Sequence, residues 1–283
     1  MLQVARLSPE LLGDSSDLVA AFIRSQQTPE GGFLDLDNKP DLYYTVFAIN
    51  GLLALQQELP RETLTPYLTR FKELSNLDFV HLCCLARCLA NLELAPPPDL
   101  AEALAAYRSQ DGGFEAEPNQ ETGSVYGCYL ALGAYQDIGS ELPDPGGLIA
   151  CVESLRTEDG AYANEAGLPM GTTPSTAAAV DILRTLDQPI DSVVGDWLLE
   201  QCHPDGGFFA MPLAPMPDLL TTATALHALS GLQRDIEAIR EPCLDFIDTL
   251  WTNRGGFYGN WMEETLDCEY TYYGLLSLGH LSL

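Results

Sequence analysis

The sequence predicts an all-α fold of six helical hairpins, twelve helices in all, set as an inner and an outer ring. Three observations predict it. Gly-Gly-Phe recurs at 31–33, 112–114, 206–208 and 255–257, with a degenerate copy at Asp159-Gly160-Ala161-Tyr162. From 112 onward the copies stand about 47 to 49 residues apart, and the step of about 81 from 31 to 112 leaves room for one hairpin lacking the turn. After each turn come an irregular loop and a segment nearly free of polar residues past its first turn, as in YTVFAINGLLAL. A helix apolar all round is buried, whereas the segment before each turn, such as LAEALAAYRSQ, keeps charge on one face and meets water. Six buried helices inside six amphipathic ones close into a double ring, a single domain over 1–283.

The hairpins follow in order. The first has helices over 17–27 and 41–55, the second over 63–74 and 78–92, the third over 98–110 and 122–135. The fourth has helices over 147–156 and 174–186, the fifth over 192–201 and 218–229, the sixth over 236–251 and 267–281. Leu18, Phe22 and Ile23 mark one face of the first helix. Asp41, Asp78, Asp218 and Asp267 stand where an N-cap belongs, and Pro174 suits a first helical turn. The glycines let the chain turn at positive φ, and the following aromatic plugs the gap between hairpins.

Composition narrows the function. The 41 acidic residues against 13 basic ones give a formal charge of −28, a surface that repels nucleic acid and anionic membrane. Eight cysteines lie mostly within helical apolar patterns, as Cys83, Cys84 and Cys88 do, and are expected to be free thiols. No signal peptide is expected, since MLQVARLSPELLGD lacks a basic region followed by an apolar core. No uncharged apolar run reaches about 18 residues, so no membrane span is expected, and the expected location is the cytoplasm.

The turns SQQTPEGGF, YRSQDGGF and HPDGGF, each leading to an inner helix such as DLYYTVFAINGL or DCEYTYYGLLSL, resemble the repeats of protein prenyltransferase β subunits and squalene cyclases. The resemblance covers almost the whole chain. It implies an α/α toroid with a central apolar cavity for an isoprenoid chain, and an α-type partner subunit or a peptide alongside it. A compact six-hairpin chain is similar in length to one transferase β subunit, whereas squalene cyclases carry two barrel domains.

Because all inner helices of such a ring run the same way, their starts gather at one mouth. First-turn residues there include Asp41, Tyr43, Tyr44, Asp78, His81, Glu121, Tyr126, Thr172, Ser175, Asp218, Asp267, Glu269 and Tyr270. Capping alone accounts for Asp41, Asp78 and Asp218. The most informative stretch is Asp267-Cys268-Glu269-Tyr270-Thr271. Zinc prenyltransferases carry Asp-x-Cys at the start of an inner helix and a histidine at the start of the next. Here Asp267 matches the Asp, Glu269 stands where the cysteine would be, and Tyr44 stands at the histidine position. Two carboxylates and a phenol make a poor site for zinc, which prefers thiolate and imidazole. No cofactor is therefore expected; a divalent metal has only this incomplete zinc site. The same stretch resembles the Asp-x-Asp-Asp-Thr acid motif of squalene-hopene type cyclases, with Asp267, Glu269 and Thr271 matching by type and Tyr270 in place of the last Asp. Such a motif holds a carboxylic acid protonated to attack an alkene.

Glu269 is the carboxyl expected to rise in pKa, with Asp267 held ionised by its capping hydrogen bonds. Asp41 and Tyr44 are expected beside this pair, since ring closure sets hairpin six against hairpin one. Prenyl diphosphates call for several Arg or Lys near the mouth, and the inner-helix starts carry none. Tyr43, Phe47, Phe79, Tyr126, Tyr129, Tyr272 and Tyr273 are candidate substrate-binding aromatics, since aromatic faces stabilise a carbocation and also fill cores. His81, Cys84 and Cys88 share a helix face as small core residues or a soft metal site, Asp35 and Asp37 belong to a surface loop, and His227 and His280 are packing histidines. These observations point to an isoprenoid-handling protein similar to prenyltransferase β subunits with a degenerate zinc site. The alternatives are an acid-initiated terpene cyclase using Asp267 and Glu269, or a toroid that binds a lipid or peptide without catalysis.

Overall fold

A computed structural model describes residues 1–283. The elements follow the expected alternation, with two short helices ahead of it. These are α1 (Leu2–Ala5) and α2 (Pro9–Leu12). The six pairs are α3 (Ser15–Ser25) with α4 (Leu42–Ala54), α5 (Arg61–Thr69) with α6 (Phe79–Asn91), and α7 (Leu100–Ala105) with α8 (Val125–Asp137). They continue as α9 (Pro145–Ser154) with α10 (Thr173–Thr185), α11 (Ser192–Glu200) with α12 (Leu219–Gly231), and α13 (Glu237–Leu250) with α14 (Cys268–Leu281). Strand is confined to a two-residue pair, Phe33–Leu34 with Pro40–Asp41, and to isolated bridges across the turns. Several expected boundaries shift, among them the end of α5, expected at 74 and found at Thr69. Ser124 and Thr172 cap α8 and α10, placing the starts at Val125 and Thr173. The first helix of the third hairpin, α7, is shorter than expected, and Leu18 is 39 % exposed while Phe22 and Ile23 are buried.

Each inner helix begins with one local device. The cap residue sits in extended backbone, and its side chain accepts from N–H groups of the first turn: Asp41 from Tyr43 and Tyr44, Asp78 from His81, Asp218 from Thr221, Asp267 from Tyr270. Four residues on, a threonine stands in α4, α10, α12 and α14: Thr45, Thr176, Thr222 and Thr271. Its hydroxyl donates to the cap carbonyl in α4, α12 and α14, at 2.5, 2.7 and 2.6 Å. The same oxygen accepts the N–H of the turn aromatic in three hairpins: Phe33 to Thr45 at 2.9 Å, Tyr162 to Thr176 at 3.1 Å and Phe208 to Thr222 at 3.0 Å. A buried turn N–H is thus satisfied by the helix it introduces. Phe33, Phe114, Tyr162, Phe208 and Phe257 are all buried, as the packing role of the repeated turn requires.

The chain forms two compact units. The first comprises Met1–Tyr67 and Leu199–Leu283. Here α14 packs between α4 and α12, and α1 packs on α14 and α4. The three inner helices run parallel. Glu269 and Tyr43 meet at the starts of α14 and α4, and His280 and His227 meet near the ends of α14 and α12. Gly255, at φ 90°, lies so close to α3 that a Cβ there would stand 2.2 Å from the Leu18 carbonyl oxygen. Only glycine allows the sixth hairpin to seat on the first this way. Gly206 is equally confined: a Cβ would stand 1.8 Å from the Pro242 carbonyl oxygen in α13. The second unit, Leu68–Leu198, is a continuous segment in which α8 packs between α6 and α10. All eight cysteines are free, seven buried and Cys202 half-buried. No helix is long and apolar enough to cross a membrane.

Candidate active site at the first turn of α14

Asp267 caps α14 and is 7 % exposed; its carboxylate accepts from the Tyr270 N–H at 2.8 Å. Glu269, the second residue of α14, is 9 % exposed, and its Oε1 accepts from the Tyr43 hydroxyl at 2.6 Å. That bond crosses from α14 to α4, where Asp41 holds the first turn through the Tyr43 and Tyr44 N–H groups at 2.8 and 3.2 Å. The start of α12 adds Asp218, which accepts from the Thr221 N–H and hydroxyl at 2.8 and 2.7 Å. The Leu219 N–H donates to the Gly259 carbonyl at 2.8 Å, tying α12 to the loop before α14. That loop runs so close over the Tyr270 ring that a Cβ on Gly259 would stand 2.4 Å from the ring.

Burial dominates the ionisation of these groups. It pushes Glu269 from 4.5 up to about 7, against the lowering effect of the Tyr43 hydrogen bond and with a smaller push from Asp267. It also pushes Asp267 up to about 6, although the Tyr270 and Glu269 N–H groups favour its charged form. The expected rise at Glu269 is therefore present. At about 6, Asp267 is still largely ionised at neutral pH, in line with the expectation that capping holds it so, although its two N–H bonds do not offset the loss of water around the carboxyl. Asp218 rises for the same reason. Tyr270 is pushed up to about 12 by burial and then by Glu269, Asp218 and Asp267. Tyr44 is raised above the usual phenol range by burial first and then by Asp267, Glu269 and Asp41. Near neutral pH Glu269 thus keeps a proton far more readily than an ordinary carboxyl does, beside a second buried carboxyl.

The expected partners largely converge. Asp267, Glu269 and Tyr270 open α14, and Asp41, Tyr43 and Tyr44 open α4. Tyr44 is the tyrosine expected beside the carboxyl pair and Tyr43 is expected on the substrate wall; it is Tyr43 whose hydroxyl reaches Glu269. A helix turns about 100° per residue, so neighbouring tyrosines point to different places, and the spacing of the motif does not select between them. Behind the carboxyl an aromatic wall continues along α4 and α14. Tyr43 lies 5.5 Å from Tyr44 and 4.9 Å from Phe47, and Phe47 lies 6.0 Å from Tyr272 and 5.4 Å from Tyr273. These edge and tilted contacts fix the rings relative to one another. Three candidates are elsewhere. Phe79, 1 % exposed, packs on Tyr107 and Phe114 and fills the core of the second unit. Tyr126 and Tyr129 also belong to that unit; Tyr126 is 41 % exposed, its backbone N–H donating to Asn164 Oδ1 at 3.0 Å, and Tyr129 is half-buried.

No group of three or more His, Cys, Asp or Glu side chains is arranged to hold a metal ion. At α14 the available donors are carboxyls and a phenol. Cys268 is buried, with its thiol raised well above the usual range by desolvation, and no histidine joins them. This donor set does not fit zinc. His81 accepts no such role either; its Nδ1 lies 2.7 Å from the cap carboxylate of Asp78. Asp35 organises the exposed loop at 35–39 by accepting from the Asp37 and Lys39 N–H groups. His227 and His280 pair at 3.0 Å, and burial lowers His280 to about 4, so the pair is uncharged at His280 near neutrality. A surface pocket along α13, lined by Pro204, Pro242, Phe246 and Trp261 among others, shares no residue with the carboxyl site.

Paired helices with a glycine turn between them, and carboxyls at the starts of the inner ones, define a class of helical-hairpin proteins. The prenyltransferase alpha-alpha toroid domain model matches residues 7–83, 71–169 and 175–282, and the chain belongs to that family. The expected α/α toroid is thereby the fold. Among solved structures the chain is similar to the type II terpene cyclase MstE from Scytonema in complex with geranylgeranyl dihydroxybenzoate, at TM-score 0.68 and 14% identity, covering 97% of each chain. It is similar to a protein from Actinoplanes at TM-score 0.65 and 15% identity, covering 95% of this chain and 99% of that one. It is also similar to Candida albicans protein geranylgeranyltransferase-I complexed with GGPP, at TM-score 0.52 and 17% identity, covering 98% of this chain and 81% of that one. At these identities the likeness shows a shared fold. No curated protein matches the chain by sequence.

Proposed function

We propose that the protein binds an isoprenoid chain against the aromatic wall of α4 and α14 and starts its cyclisation by proton transfer from Glu269. The observation that carries this reading is the buried Glu269 carboxyl, hydrogen-bonded to Tyr43 and set beside Asp267. In the step, the π electrons of an alkene take the carboxyl proton. A C–H bond forms, the O–H bond breaks, and the carbocation left behind is attacked by the next alkene. Tyr43 already donates to Oε1, so it stabilises the carboxylate that the transfer creates. The faces of Phe47, Tyr272 and Tyr273 suit a positive charge moving along the chain. The final cation loses a proton to water, and Glu269 is reprotonated from solvent.

The family match over 7–282 supports treating 1–283 as one functional domain, and the cyclase named above supports a polyene ligand. The transferase reading of the resemblance relies on zinc ligands that Glu269 and Tyr44 replace, and no step is assigned to a metal. An α-type partner is not needed for this chemistry. Eight cysteines held as thiols suit a reducing compartment, the cytoplasm expected above. The test is incubation of wild type and Glu269→Gln with linear polyprenyl compounds from farnesyl length to squalene, with products read by gas chromatography and mass spectrometry. Cyclic isomers from wild type, with binding but no product from the folded variant, are expected. A variant as active as wild type, or no cyclic product from any compound, overturns the reading.

A further inference from the structure

The surface pocket along α13 takes no part in the chemistry at α14, and its walls specify what it can hold. It measures about 370 Å³, the size of a small-ligand cleft. Phe246, 1 % exposed, forms its apolar wall, and the Trp261 ring, 47 % exposed, stands 5.6 Å away at 74°. Pro204 and Pro242 complete the apolar surface. The indole is fixed from behind. Its Nε1–H donates to Thr249 Oγ1 at 2.9 Å, and the Thr249 hydroxyl donates in turn to the Phe246 carbonyl at 2.6 Å.

These two bonds use every donor that the lining side chains possess. The prolines bring no N–H, and the Asp205 N–H already donates to His203 Nδ1 at 3.0 Å. What remains is the aromatic ring and two exposed carboxylates, Asp205 and Asp245, neither of them in an ion pair. The arginine of α13, Arg240, pairs instead with Glu241 at 3.1 Å. Acceptors without donors, set beside an aromatic face, suit a cation. A metal ion is not that cation, because no third His, Cys, Asp or Glu joins the pair. A guanidinium meets both features. It is planar and weakly hydrated, so it stacks on an indole, and its fork of N–H groups matches a carboxylate. Beside Trp261 in the chain, Met262 is 75 % exposed, an apolar surface for the rest of a bound polypeptide to cover. The formal charge of −28 draws a basic partner rather than an acidic one.

We propose that this pocket receives an arginine side chain of a basic polypeptide partner, its guanidinium stacked on Trp261 and bonded to Asp205 and Asp245. The test titrates acetylated, amidated Gly-Arg-Gly into the protein and follows the indole N–H groups by NMR. The Trp261 resonance is the one missing from Trp261→Phe. A saturable shift of that resonance is expected, with those of Trp197 and Trp251 unmoved. The matching citrulline tripeptide keeps the shape and loses the charge. It is expected to bind roughly tenfold more weakly, the combined scale of one exposed cation–π contact and one exposed ion pair. A double variant, Asp205→Asn with Asp245→Asn, should lose the same factor for the arginine peptide. Both positions are exposed, and unmoved Trp197 and Trp251 resonances check that the variant is folded. Equal binding of the two peptides, no shift at Trp261, or unchanged affinity in the double variant overturns the inference. Butylguanidinium that shifts Trp261 where the peptide does not overturns it too, and assigns the pocket to a free guanidino compound. The acid assigned to Glu269 stands or falls independently of these outcomes, since the two sites share no residue.

Discussion

The proton on Glu269 can be weighed through stability. Its folded carboxyl titrates at about 7 against an ordinary 4.5, because burial disfavours the charge. A carboxyl raised in this way binds more protons folded than unfolded between these values. Wild-type stability therefore falls as pH rises through the window, and the loss is complete above the folded value. At 1.36 kcal/mol per pH unit, the difference between about pH 5 and about pH 8 comes to about 2.5 kcal/mol. Glu269→Gln keeps the shape of the protonated acid and an acceptor for Tyr43, and it has no charge to lose. Urea unfolding of both proteins across that range should show the variant gaining on wild type by about 2.5 kcal/mol as pH rises. Groups common to both proteins cancel in this difference. A stability difference that stays constant with pH would mean that Glu269 ionises as an ordinary surface carboxyl, and the acid assigned to this site would be lost with it.

Three further outcomes are expected. Tyr43→Phe removes a hydrogen bond that favours the ionised form of Glu269, so the alkaline limb of the pH–activity profile, where the acid loses its proton, should move to higher pH; an unmoved limb would separate Tyr43 from the carboxyl. Asp267→Asn keeps the α14 cap while removing a carboxylate that burial raises to about 6, and should be at least as stable as wild type at high pH by urea unfolding. Thr222→Val leaves the buried N–H of Phe208 without its acceptor and should lower stability by about 1–3 kcal/mol in the same measurement.

The hairpins were legible because a turn that needs glycine and an aromatic plug recurs at a nearly constant step, and because Asp41, Asp78, Asp218 and Asp267 are sufficient caps by residue type. Ser124 and Thr172 cap as well, but Glu121 and Pro174 nearby offered competing starts. The threonine four residues after the cap, Thr45, Thr176, Thr222 and Thr271, was in plain view as a period; it is the signal that would have placed α10 correctly. The short α1 and α2 escaped because four residues are too few to show a period. The site was legible as a set of residues on two helix starts. Which tyrosine crosses to Glu269 was not, since that depends on the rotation of α4 against α14. Nor was the rise of Asp267: a capping motif specifies which N–H groups a carboxylate meets, and says nothing about how much water remains around it.

The placement of α14 between α4 and α12 has a consequence for how the protein is made. The first inner helix leaves the ribosome about 200 residues before the helix that packs against it. The segment between, Leu68–Leu198, is a continuous stretch that forms its own compact unit. The first unit must wait, with the apolar flank of α4 uncovered, until translation reaches α14. Closing so long a loop adds little to the equilibrium cost but slows folding, since distant contacts are rewarded only after closure. During synthesis the acid site therefore forms only once α14 has emerged, long after α4, and the exposed flank of α4 is where a nascent chain would need a chaperone.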